Sequence, residues 1–175
     1  MEDIAKRRKC TLRQFVAPIV DYFFTQPYAG ALEEAIVSIP DGDKQKARYE
    51  LKWLTYVAIV KAMNTVFWGT EEHKPVVVEF AMCMQDNSWE IFQLTTMKFI
   101  GDRTFESYIL KTGNLDPSAG LLGIGQLFAS RLGNDGNQEL IGIGMSWYDS
   151  EFRRVGTSLT KDKAEQEIDL SKIKA

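Results

Sequence analysis

Large apolar residues recur every three to four positions over the first third of the chain, and from Pro75 onward the period shortens towards two. Thr11 followed by Gln14 is a capping-box pattern, and a helix is expected to start there. It carries Phe15, Val16, Ile19, Val20, Phe23 and Phe24, with Pro18 either kinking it or opening a later helix. Ala31 to Ile39 reads as a short second helix stopped by Pro40-Asp41-Gly42. The third and longest runs from about Asp43 to Phe67, its charged half solvated and its apolar half in the core, with Gly69 as C-cap.

Beyond Pro75, Val76, Val78, Phe80, Met82 and Met84 alternate with Val77, Glu79, Ala81, Cys83 and Gln85, which predicts a strand. Asp86-Asn87 turns into a second strand over Trp89 to Phe99, and Gly101-Asp102 into a third over Thr104 to Leu110. Leu121-Leu-Gly-Ile-Gly-Gln-Leu-Phe128 is echoed by Leu140-Ile-Gly-Ile-Gly-Met-Ser-Trp147, with Gly133-Asn-Asp-Gly136 between them. That layout suggests a β-hairpin. Leu121 to Leu132 admits a helix as well, but Gly123 and Gly125 each penalise one by about 1 kcal/mol, which tips the reading to a strand. Phe152 to Leu159 completes the series.

The expected fold class is therefore α+β: about three N-terminal helices packed on a mostly antiparallel sheet of five or six strands. Residues 1–10 form a flexible basic arm, and residues 11–159 a single domain, helical over 11–68 and strand-rich over 75–159. Residues 160–175 form a charged tail or weak helix.

Composition is that of an ordinary globular protein: 45% hydrophobic and 26% charged over 175 residues. Charge is distributed unevenly. Residues 1–13 hold five basic and two acidic side chains, so a net +3 arm precedes a body of −6 in a chain of −3. Lys6, Arg7, Arg8, Lys9 and Arg13 are thus candidate contacts for a nucleic-acid backbone. Lys52, Lys61 and Asn64 interrupt the apolar run from Leu51 to Trp68, and a charge at a bilayer centre costs roughly 2.5–3.5 kcal/mol. No membrane span is expected. Cys10 and Cys83 are far apart, and no secretory segment precedes them, so an intracellular location with free thiols is expected.

Catalytic chemistry finds little support. His73 is the only histidine and lies in a charged connector, without a nucleophile elbow or cysteine-protease signature near Cys83 or Ser88. One histidine and two distant cysteines do not make a zinc site, and Asp41, Asp43 and Asp116 sit in expected turns without calcium-loop spacing. Gly120-x-x-Gly123-x-Gly125 inverts the dinucleotide fingerprint, so no cofactor is expected. Glu79, Glu90 and Glu106 fall on neighbouring expected strands and would support acid/base work only if two shared a pocket.

Cys10-Thr-Leu-Arg-Gln-Phe15, with Ala17-Pro-Ile-Val20 after it, resembles the helix of flexuous plant-virus coat proteins that carries a Thr-Leu-Arg-Gln phrase. The likeness covers about ten residues, and the later Phe-Asp region of that family has no counterpart. It implies that Arg13 contacts an RNA backbone.

Three functional expectations follow. The first is a non-enzymatic protein-interaction or self-association module, contacting nucleic acid through its basic arm. The second is a small-molecule carrier or enzyme, with Trp53, Tyr56, Glu79 and Trp89 lining a pocket between helices and sheet. The third is a coat or nucleic-acid-packaging protein.

Overall fold

Thr11 starts the first helix as its sequence suggests. Its Oγ1 accepts from the Gln14 backbone N–H at 3.2 Å, while its own N–H donates to Gln14 Oε1 at 2.9 Å. The computed structural model describes residues 7–25, 33–37, 39, 41–87 and 117–171. Helix α1 (Leu12–Phe24) runs through Pro18, whose ring lies on the exposed side, and buries Phe15, Val16, Ile19, Val20 and Phe23.

Helix α2 (Asp41–Val66) is about 39 Å long at 1.5 Å per residue. From Leu51 to Met63 it is buried on several faces, so it serves as the central post of the bundle. Gly69, at φ +74°, then reverses the chain into α3 (His73–Asn87). The hairpin is clamped by His73 Nε2 and Asn64 Oδ1 at 2.6 Å, and by Tyr56 against Phe80 with ring centroids 5.6 Å apart.

Helices α4 (Pro117–Arg131) and α5 (Gln138–Glu165) form a second hairpin. A Schellman motif ends α4: Asn134 N–H donates to Ala129 O at 3.0 Å and Gly133 N–H to Ser130 O at 2.9 Å, with Gly133 at φ +80°. Asn137 Oδ1 then caps α5 by accepting from the Glu139 and Leu140 N–H groups. Helix α5 runs parallel to α2. Trp147 Nε1 donates to Leu51 O and Thr55 Oγ1 near one end, and Lys163 Nζ to Val66 O near the other. The last contact places a cation on the carbonyl end of α2, where the helix dipole favours it. Strands β1 (Arg8–Cys10) and β2 (Gln166–Ile168) pair in parallel, with Lys9 opposite Glu167, and tie the start of α1 to the end of α5.

The fold is mostly helical, which corrects the expected α+β class. Among the described residues the sheet has two parallel strands, not five or six antiparallel ones. Val76 to Gln85 is helix α3, in which Val76, Phe80, Cys83 and Met84 are the buried positions. Its apolar residues occupy both faces, so period two and period 3.6 fit equally, and three consecutive valines favour the wrong one. Pro75 is tolerated in the first turn, where its missing N–H has no helical partner.

Leu121 to Leu132 and Leu140 to Leu159 are also helical, not a β-hairpin. The mirrored glycines serve a close helix crossing instead. A Cβ on Gly125 would strike the Ile141 carbonyl oxygen and lie 2.6 Å from Met145 Cγ; one on Gly144 would lie 2.8 Å from Phe128 Cβ. The helix penalty of these glycines is offset by packing that side chains would prevent. The strands expected over Trp89 to Phe99 and Thr104 to Leu110, with Glu90, Glu106 and Asp116, lie outside the described residues.

Candidate docking groove

A solvent-open groove of about 600 Å³ lies between the C-terminal halves of α2 and α5. Residues Phe152, Gly156, Thr160 and Ala164 recur every fourth position and so form one row on α5. The facing wall is Ala62, Thr65 and Val66 of α2. The α5 row stands beside the buried stripe of Tyr148, Glu151, Val155 and Leu159, the seam by which α5 joins the bundle. Small side chains at Ala62, Gly156 and Ala164 leave the space above that seam unfilled.

Gly156 decides how the groove is read. A Cβ built there meets nothing within 4 Å. Mid-helix glycine costs about 1 kcal/mol against alanine, and here no internal packing requires it. The hydroxyls nearby add little polarity. Thr65 Oγ1 donates to Lys61 O at 2.9 Å and Thr160 Oγ1 to Gly156 O at 2.8 Å, so both protons are used within their own helices. Cations flank the groove. Arg153 pairs with Asp149 at 2.8 Å on the surface, and Lys161 makes no ion pair among the described residues.

The residues singled out from sequence do not gather here. Trp53 and Tyr56 are buried in the bundle interior, where burial pushes the Tyr56 hydroxyl up to about 12. Glu79 is half-buried on α3, with the Cys83 thiol 3.6 Å from its Oε1. Trp89 and Lys6 lie outside the described residues. Arg7, Arg8 and Lys9 are exposed at β1, Lys9 lying 4.0 Å from Glu167, and Arg13 pairs with Asp86 at 3.3 Å.

Burial raises both thiols, Cys10 and Cys83, which disfavours the reactive thiolate. No group of three potential metal ligands occurs among the described residues. No described helix is long and apolar enough to cross a membrane.

Two polar knots were invisible in the sequence because their members are far apart in it. Arg131 Nε donates to the buried Glu50 Oε2 at 2.7 Å, tying α4 to α2. Glu151, 2% exposed, accepts from Tyr22 OH at 2.8 and 3.0 Å, while Arg154 Nη1 donates to the same hydroxyl at 2.7 Å. Burial raises the Glu151 carboxyl, opposed by Tyr22's hydrogen bonds and Arg154's charge. These groups join helices, and none of them lines the groove.

No protein-family model matches the chain, and neither a characterised protein nor a solved structure does. The Thr11-Leu-Arg-Gln14 phrase has a local role in this fold, since two of its residues form the capping box of α1.

Proposed function

We propose that this protein is a non-enzymatic self-assembly module and that copies meet at the α2–α5 groove. The observation carrying this reading is Gly156, a costly helical glycine whose missing side chain serves no contact inside the chain and keeps the groove open. An apolar floor between helices, rimmed by charge, is the form of surface that accepts a helix by its spaced side chains. The test is solution mass by light scattering, with the 260/280 nm absorbance ratio of the same peak. Expected is a mass above the 19.9 kDa monomer that rises with concentration, and a monomeric Gly156→Leu variant with unchanged circular dichroism. A wild-type monomer up to about 1 mM, where association is worth only about 4 kcal/mol, contradicts the reading.

A second reading has its own observation. Arg7 and Arg8 are exposed and make no ion pair among the described residues, which suits a polyanion partner. An assembly rich in 260 nm absorbance that dissociates as salt rises would favour nucleic acid as the organiser.

A further inference from the structure

We infer that the groove's occupant is the outer face of α3 from a second copy, lying antiparallel to α5. The inference rests on the self-assembly reading. Lys74, Val78, Met82 and Asp86 form an exposed row at every fourth position of α3, with Val78 46% and Met82 54% exposed. The row spans twelve residues, about 18 Å, the same as Phe152 to Ala164 across the groove. A row of i±4 side chains is the ridge that fits between such rows on a facing helix.

Charge fixes the direction. With Met82 over Gly156 and Val78 over Thr160, an antiparallel α3 sets Glu79 beside Lys161, Lys74 beside Glu165, and Asp86 beside Arg153, the last two exchanging their exposed pairs with Arg13 and Asp149. The parallel arrangement would set Lys74 against Arg153 and Asp86 against Glu165, placing like charges together. Within one chain α3 packs chiefly on α1 and α2, and none of Lys74, Val78, Met82 and Asp86 lines the groove. Knob and groove are different surfaces of the molecule, so the contact can repeat head to tail, extending into an open chain or closing as a ring.

The test compares wild type, Met82→Glu, Gly156→Leu and an equimolar mixture of the two variants by light scattering, with helicity checked by circular dichroism. Both positions face open space, so both variants should fold. Each variant alone should associate at least about tenfold more weakly than wild type. Their mixture should form a 1:1 dimer and stop, because the intact groove of one meets the intact α3 of the other. Assembly of Met82→Glu like wild type, with Gly156→Leu monomeric, would overturn the α3 occupant and leave the groove standing. A mixture that stays monomeric would overturn the heterologous contact. Wild-type protein that never associates would sink both.

Discussion

Helix α5 carries glycines for two opposite reasons. At its crossing with α4, Gly144 and the facing Gly125 let two helices approach until a single added carbon would collide with Phe128, Ile141 or Met145. One turn beyond the Glu151 contact, Gly156 faces open space. The first pair is required by the fold. The second position is a vacancy that the fold does not use. Gly142 is equally open, so an unpacked glycine alone marks no surface; Gly156 is the one that also lines the groove, and that coincidence supports the proposed assembly seat.

Gly125→Leu should break the packed side of this comparison most severely. The Ile141 carbonyl belongs to the backbone of α5 and cannot yield without displacing the helix, so a loss of about 3 kcal/mol or more is expected in denaturant unfolding. A loss below about 1 kcal/mol would mean the crossing is loose. Arg131→Ala, at the same end of α4, leaves the buried Glu50 without its guanidinium. A cost of about 1.5–3 kcal/mol is expected, since a hydrogen bond to a charged group is lost at a buried site.

A smaller effect is expected where α1 meets α5. Because burial raises the Glu151 carboxyl above its ordinary value near 4.3, its contribution to stability is full below that value and declines as pH rises through the raised one. Glu151→Gln keeps an acceptor for Tyr22 but removes the titration. Unfolding free energies from urea titrations at pH 5 and pH 8 should therefore fall less in the variant than in wild type, by on the order of 1 kcal/mol or less. Equal pH slopes would show that Tyr22 and Arg154 fully offset the burial.

The legible parts of the fold were those decided locally. Thr11 and Gln14 announce α1 because capping is a contact between neighbours, and Gly69 marks the turn after α2, where the chain takes a positive φ. What misled was decided at a distance. Val76 to Met84 has apolar residues on both faces because α3 packs on both α1 and α2, so its period is blurred. Gly123 and Gly125 argue against a helix on propensity, and at Gly125 packing against α5 reverses that argument. For the groove, Phe152, Gly156, Thr160 and Ala164 share one helical row, and a strand assignment over Phe152 to Leu159 stops short of Thr160 and Ala164 and so cuts that row in half. Glu151 gave no signal, since Tyr22 lies 129 residues away.

The most direct test of the groove as an assembly seat is a size series at one position. Wild type, Gly156→Ala and Gly156→Leu would each be measured for mass by light scattering and for Tm. Because a Cβ there meets nothing, Gly156→Ala should gain up to about 1 kcal/mol of stability, and neither variant should unfold earlier than wild type. Over the same series the assembled mass should fall from glycine to alanine to leucine. Mass unchanged across the series, or a Tm that drops in step with it, would contradict the account.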